Sequence, residues 1–224
     1  MSMWTLFIAL VTAIIVWGLL VRHLTAKPWL VAGDADYIRD IEPIDHPAKK
    51  VGLFFFLGAI TSLFSLFITA YIMRMSPHHG SDWIHINEPG ILWVNTLLLL
   101  LSSIAMQFTR FASDKQRPSM IKIGMIVSGV FTIAFLAGQF LAWQQLSANG
   151  LFLLSNPAVS FFYLLTGVHA LHLLGGLWVW GKTIYRLWFE PEPTKVNQTI
   201  EMCTVYWHYL LIVWLVLFVL LLST

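Results

Sequence analysis

Long stretches of this chain carry no Asp, Glu, Lys or Arg, and their lengths are the first structural signal. The charge-free stretches are 1–21, 51–73, 89–109, 123–181 and 202–224. A helix rising 1.5 Å per residue needs about 20 apolar residues to cross roughly 30 Å of hydrocarbon. Four stretches therefore predict one membrane span each, and the stretch 123–181 is long enough for two.

The stretch 123–181 contains two groups of turn-type residues, Ser147-Ala148-Asn149-Gly150 and Ser155-Asn156-Pro157, at which we expect it to divide. The pattern thus predicts an all-α membrane protein with six transmembrane helices, near 3–22, 51–74, 90–110, 121–145, 158–181 and 202–222. Residues 1–50 would form an N-terminal helix with a cytoplasmic connection, and residues 51–224 a five-helix bundle. The flank before the first span has no positive charge and no cleavage pattern follows, which favours a retained helix over a signal peptide.

The basic residues are distributed unevenly between the predicted connections. Five lie in 22–50, four in 110–122 and three in 182–201, whereas the alternate connections contain only Arg74. Lys and Arg concentrate on the cytoplasmic side of membrane proteins. The pattern therefore predicts that both termini face outward and that the three basic connections face the cytoplasm.

Composition narrows the class of protein further. Hydrophobic residues make up 58% of the 224-residue chain and charged residues only 11%, against roughly 25% charged in soluble domains. A soluble enzyme is excluded because too much apolar surface would face water. The formal charge of +2 argues against a nucleic-acid partner, and the single cysteine excludes a disulfide-stapled domain.

Polar side chains within the predicted spans are the candidate functional residues, because they are expensive in hydrocarbon. His169 and His172 lie three residues apart on the fifth span and share a helix face. The sixth span opens near Glu201 and carries the run Tyr206-Trp207-His208. We expect His169, His172, Glu201, Tyr206, Trp207 and His208 to form a polar seam between the last two helices, with Glu201 and His208 closer to His172 than to His169.

Three interpretations of the histidines are open. They could ligate haem, although a two-haem membrane cytochrome needs four histidines and only three lie within spans. They could bind a metal together with Glu201, but an isolated HxxH is a weak signal. The favoured interpretation is neutral imidazoles hydrogen-bonded between helices and to Ser, Thr or Glu partners, with no catalytic, metal or cofactor site in this chain.

A second set of polar and small residues fits helix packing. It comprises Asn95, Thr96, Gln139, Thr166 and Gly167. Side chains of this kind bridge helices, and glycine permits close backbone approach. A transporter or channel is disfavoured because the spans contain no central charge and no symmetric pair of broken helices.

These residues carry a family resemblance. The run Thr166-Gly167-Val168-His169-Ala170-Leu171-His172 is similar to a signature of subunit III of the haem-copper terminal oxidases, the cytochrome c and quinol oxidases. Glu201 followed by Tyr206-Trp207-His208-Tyr209 resembles that family's last helix, and Asn95-Thr96 and Gly138-Gln139 resemble two other helices. The resemblance covers about residues 50–222. Six spans correspond to the family's seven without the first, so the 22–50 connection would separate one helix from the five-helix bundle across a lipid-filled cleft.

The sequence also departs from the family at intramembrane acids. Ile60, Ala142 and Leu211 occupy positions at which the family often has an acidic residue. A role for this chain in conducting protons is weakened accordingly, and a scaffold role is favoured.

The resemblance implies a non-catalytic membrane subunit that stabilises a respiratory oxidase and binds phospholipid. Haems and copper would reside in partner subunits. The partners would be catalytic subunit I, which reduces oxygen to water and translocates protons, and subunit II. The chain would be a multi-pass protein of a bacterial plasma membrane. A haem-binding membrane cytochrome and a subunit III-like protein associated with nitric oxide reductase are the alternatives.

Overall fold

The computed structural model of the protein describes residues 47–75, 90–152, 156–189 and 194–222. They form five long helices, numbered α1 (Pro47–Met75), α2 (Ile91–Asp114), α3 (Pro118–Ala148), α4 (Pro157–Phe189) and α5 (Thr194–Leu222). Each is long and apolar enough to cross a membrane. The all-helical fold and five of the predicted spans are confirmed. The span near 3–22, and with it the count of six, lies outside the described residues.

Two helices extend well beyond the charge-free stretches that predicted them. α4 ends at Phe189 and not near residue 181, and α5 begins at Thr194 and not near residue 202. Charged side chains mark the edge of the hydrocarbon, but backbone hydrogen bonding continues through the polar headgroup region. The apolar pattern therefore locates the spans and understates the helix lengths.

The predicted break within 123–181 is confirmed. α3 ends at Ala148, and Gly150 follows with a φ of 78°, a left-handed conformation that glycine adopts without steric penalty. α4 begins at Pro157, and the Asn156 side-chain oxygen accepts a hydrogen bond from the Ala158 backbone N–H at 3.0 Å. Asparagine as the N-cap before proline is a favourable helix start.

The turn between α2 and α3 is tight. Gln116 has a φ of 51°, and the Arg117 N–H donates to the carbonyl of Ala112 at 3.0 Å. This bond closes the end of α2 in the manner of a Schellman motif, where glycine is the usual left-handed residue. Pro118 then begins α3. The short connection forces α2 and α3 to run antiparallel side by side.

Small residues let α2 and α3 approach closely. A Cβ added at Gly124 would collide with the Thr109 side chain, and one added at Gly138 would collide with that of Asn95. α5 packs against α2 and α4, and α3 also contacts α4. Burial of small residues at helix crossings is how membrane helices gain van der Waals contact when the hydrophobic effect no longer drives association.

α1 attaches to the bundle differently. No Cα of α1 lies within 8 Å of a Cα of the other described helices. Long side chains make the contact instead: the Thr61 and Tyr209 hydroxyls are 2.9 Å apart, and Tyr71 packs edge-on against Phe161 with ring centroids 5.6 Å apart. α1 is the least buried of the five helices, and its long side chains hold it to the bundle.

Candidate functional site

A buried hydrogen-bond network joins three helices around Trp207, which we call the Trp207 network and define as Trp207, Ser102, Ser128 and Thr132. The indole N–H of Trp207 on α5 is 3.1 Å from both the Ser102 hydroxyl of α2 and the Thr132 hydroxyl of α3. The two hydroxyl oxygens are 2.7 Å apart, and each lies within hydrogen-bond distance of the Ser128 carbonyl. Trp207, Ser102 and Thr132 are each at most 1% exposed. Each polar atom in the network has a partner, as the bilayer interior requires.

Three further indoles donate across helix pairs. Trp214 on α5 donates to the Thr96 hydroxyl at 2.9 Å, and Trp143 on α3 donates to the Thr166 hydroxyl at 3.0 Å. Trp180 on α4 donates to the carbonyl of Met125 at 3.0 Å. Amphipathic indoles thus bury a large apolar ring while the single donor finds an acceptor.

The predicted packing residues all lie at helix contacts. The Asn95 side-chain amide donates to the Gln139 side-chain oxygen at 3.4 Å between α2 and α3, and both residues are buried. Thr96 and Thr166 accept the indole bonds described above. A Cβ on Gly167 would lie 3.9 Å from the Trp143 ring, an ordinary contact distance.

His169 is enclosed by aromatic rings. Its ring centroid lies 5.3 Å from that of Trp214, 5.9 Å from that of Phe135 and 6.4 Å from that of Phe64. The residue is completely buried, and neither ring nitrogen has a hydrogen-bond partner among the described residues. Its surroundings are those of an aromatic core side chain.

His172 and His208 bond within their own helices. The Nδ1 atom of His172 is 2.7 Å from the Val168 carbonyl, and that of His208 is 2.8 Å from the Thr204 carbonyl. The expected hydrogen bonds from the histidines to side chains of neighbouring helices are therefore not among the described contacts. The backbone carbonyl one turn earlier in the same helix satisfies an imidazole donor without needing a second helix.

Tyr206 provides the direct link between α4 and α5. Its hydroxyl donates to the backbone carbonyl of His172 at 3.0 Å. A Cβ on Gly176 would lie 2.8 Å from the Tyr206 ring and 3.2 Å from the Trp207 ring. The absence of a side chain at residue 176 lets both aromatic residues pack directly against α4.

Glu201 lies where α1, α2 and α5 meet. Its carboxylate is 3.1 Å from the Lys50 ammonium and 3.3 Å from the Arg110 guanidinium, and all three side chains are about one-third exposed. The expectation that Glu201 lies closer to His172 than to His169 considered only consecutive helices, and it stays a prediction. The charged ends of α1 and α2 reach the same end of the bundle and bind Glu201 there. The stabilising role of the polar seam stays a prediction.

Sequence reasoning missed some of these contacts. Thr132 was not selected, although it lies four residues after Ser128 and therefore on the same helix face. Lys50 and Arg110 were read only as markers of orientation. Both carry a charge opposite to that of Glu201 and lie at the same predicted membrane boundary, and this could have indicated the salt bridges.

Within the described residues, no group of three or more His, Cys, Asp or Glu side chains is arranged to hold a metal ion. The described polar groups of the membrane interior mostly bond one helix to another or to their own backbone. Fold and site together define a helical membrane protein whose polar side chains serve helix association.

The chain belongs to the cytochrome c oxidase subunit III family, whose family model matches residues 2–223. It is 30% identical over 185 residues to a cytochrome c oxidase subunit 3 of Synechocystis sp., covering 78% of this chain and 76% of the relative. Identity to the cytochrome c oxidase subunit 3 of Corynebacterium diphtheriae is 29%, covering 76% and 85% of the two chains, and to that of Thermostichus vulcanus 28%, covering 79% and 88%. The resemblance seen in the sequence is confirmed: this is a subunit III of the haem-copper oxidases, a non-catalytic subunit of an oxidase complex.

Proposed function

We propose that this chain stabilises a bacterial respiratory oxidase by packing against catalytic subunit I and subunit II, which hold the haems and copper. The catalytic subunit would reduce oxygen to water and translocate protons. The observation that carries the proposal is the use of the described intramembrane polar groups for helix association, in the Trp207 network and at Thr96 and Thr166. These hydrogen bonds hold the helices of this chain to one another, so that the chain would present a fixed helical surface to its partners.

We propose that six spans place both termini outside a bacterial plasma membrane. The starts of α1 and α5 and the end of α2 meet at Glu201, and the Lys122 ammonium at the start of α3 lies over the Trp188 ring near the end of α4. This end carries most of the described basic side chains, namely Lys50, Arg110, Lys115, Arg117, Lys122, Lys182 and Arg186, while Arg74 lies at the other. The asymmetry supports a cytoplasmic position for the basic end.

We also propose that the chain binds anionic phospholipid at the basic end of α4. A surface groove of about 580 Å³ is lined by Leu177, Trp178, Gly181, Lys182, Tyr185 and Arg186. The Lys182 ammonium lies 5.0 Å from the centroid of the exposed Trp178 ring. At headgroup depth, basic side chains attract a lipid phosphate, and an adjacent aromatic ring can contact the acyl chain of the same lipid.

The stabilising role is tested in a strain whose oxidase lacks only this chain. We expect initial oxygen consumption to be close to that of the intact oxidase and activity to decline faster during prolonged turnover. Restoring the gene should restore the lifetime. Unchanged activity over prolonged turnover without this chain would contradict the proposal. Identification of the haem-containing chains that co-purify in gentle detergent names the complex and its electron donor.

Lipid binding is tested by mass spectrometry of phospholipid co-purified with the oxidase. The double variant Lys182→Gln and Trp178→Leu should lower the anionic phospholipid retained by about half, because it removes a charge and an interfacial ring. Lys115→Gln, which removes a charge at the same membrane side outside the groove, is the matched control. Equal lipid retention in both variants would remove the groove from the proposal.

A further inference from the structure

One side of α5 is not covered by any described helix. We call it the α5 outer stripe and define it as His208, Ile212, Leu215 and Val219. The spacing of three and four residues places these side chains on one face of the helix. Ile212 is 60% exposed and Val219 64%, while His208 is partly exposed. A stripe of this length matches one face of a second membrane helix.

The stripe lies between α1 and α2. Glu201, two turns before His208 on the same face, contacts Lys50 of α1 and Arg110 of α2. Further along α5, Tyr209 reaches Thr61 of α1. α1 and α2 therefore flank α5, and the salt-bridged carboxylate marks the basic end of the space between them.

His208 is the feature that distinguishes this stripe from an ordinary lipid-facing surface. It lies six residues into the charge-free stretch that begins at 202, about 9 Å along the helix axis. Its Nδ1 atom is 2.8 Å from the Thr204 carbonyl, and a carbonyl can only accept, so Nδ1 carries the proton. In the neutral ring Nε2 is then an acceptor, and it has no partner among the described residues. Acyl chains offer no hydrogen-bond donor at this depth.

We propose that the α5 outer stripe docks a transmembrane helix of a partner chain, and that this helix presents an O–H or N–H donor to Nε2 of His208. Polar side chains in membrane spans almost always face protein or water and not lipid. The apolar side chains Ile212, Leu215 and Val219 supply the van der Waals contact on the remaining turns. The proposal rests on the proposed function, because the partner helix belongs to the oxidase complex.

Photo-crosslinking in membranes that contain the whole oxidase tests the location. A benzophenone amino acid is placed at Ile212 in the stripe and, as the matched control, at Leu171 of α4, which is similarly exposed at 65%. We expect Ile212 to crosslink to another oxidase chain in higher yield than Leu171. Adducts from Ile212 only to lipid, to a second copy of this chain or to residues 3–22 of the same chain would overturn the proposal, as would equal yields to one partner from both positions.

Substitution of His208 tests the hydrogen bond. His208→Leu should lower the haem-containing chains retained in detergent by about threefold or more, because the donor of the partner loses its acceptor. His208→Gln keeps an acceptor oxygen and should restore much of the retention, and the amount of this chain in the membrane should change little in either variant. Wild-type retention in His208→Leu would overturn the proposal. Failure of the wild-type chain to retain any haem-containing partner would instead refute the proposed function.

Discussion

The Trp207 network makes a prediction about cooperativity that no single contact makes. The indole N–H of Trp207 has two acceptors at equal distance, the hydroxyls of Ser102 and Thr132, at 3.1 Å each. Each hydroxyl can donate its own proton to the Ser128 carbonyl. Removal of either hydroxyl therefore leaves every remaining polar group of the network with a partner.

Ser102→Ala and Thr132→Val should accordingly be mild alone and severe together. Each single variant should lower the free energy of unfolding by about 0.6 kcal/mol, the average for an interhelical hydrogen bond in a membrane protein. The double variant leaves a buried indole N–H with no acceptor, which costs about 1–3 kcal/mol. We expect the double variant to lose at least about 1 kcal/mol more than the sum of the singles.

The assay is unfolding of the purified chain in mixed micelles with increasing SDS, followed by far-ultraviolet circular dichroism. Thr96→Val is the matched comparison, because Thr96 is the single described acceptor of the Trp214 N–H. Thr96→Val alone should lower the free energy of unfolding as much as the double variant Ser102→Ala and Thr132→Val does. Repeating the cycle in a Trp207→Phe background should abolish the coupling. Additive losses in the wild-type background would refute the reasoning.

Two local features give smaller predictions. Gln116→Gly should raise the free energy of unfolding by about 0.5–1 kcal/mol, because Gln116 has a φ of 51° that glycine adopts without strain. Gly150→Ala, at a φ of 78°, should lower the free energy of unfolding by a similar amount. Changes of the same sign in the two variants, measured by SDS unfolding, would contradict this. Glu201→Gln should lower the free energy of unfolding by less than about 1 kcal/mol, since its salt bridges are partly exposed. The decrease should become smaller in high salt, and Asp114→Asn, at an exposed residue, is the control. A decrease that does not depend on salt would show that Glu201 acts through something other than charge.

The helices were predictable because their signals are local. Charge-free length identifies a span without knowledge of its neighbours, and the residues at Asn149-Gly150 and Asn156-Pro157 end one helix and begin the next through their own backbone preferences. The helix ends were less predictable, as α4 and α5 show, because the apolar pattern reports the hydrocarbon boundary and not the last backbone hydrogen bond.

The pairing of side chains was not predictable from the same signals. Thr96 and Trp214 were both visible as polar or amphipathic residues in spans, but their contact depends on how α2 and α5 are rotated about their axes. Glu201 illustrates the same limit, because its partners come from α1 and α2 and not from the helix that precedes it in sequence. Rotation and neighbour order are properties of the bundle, so one sequence does not define them.

The environment of His169 yields a prediction about whether its imidazole only packs against aromatic rings or also makes a hydrogen bond. Its ring nitrogens have no partners among the described residues, and the ring packs against Phe64, Phe135 and Trp214. A buried polar group without a hydrogen bond is unfavourable by about 1–3 kcal/mol, so an apolar side chain of similar volume should remove that penalty.

His169→Leu should therefore leave the free energy of unfolding unchanged or raise it by about 1 kcal/mol, the lost ring contacts offsetting part of the gain. SDS unfolding measures the change. Thr96→Val, which leaves the buried Trp214 N–H without its acceptor, should lower the free energy of unfolding in the same assay. A loss of more than about 1 kcal/mol in His169→Leu would mean that the imidazole holds a hydrogen bond in the folded chain.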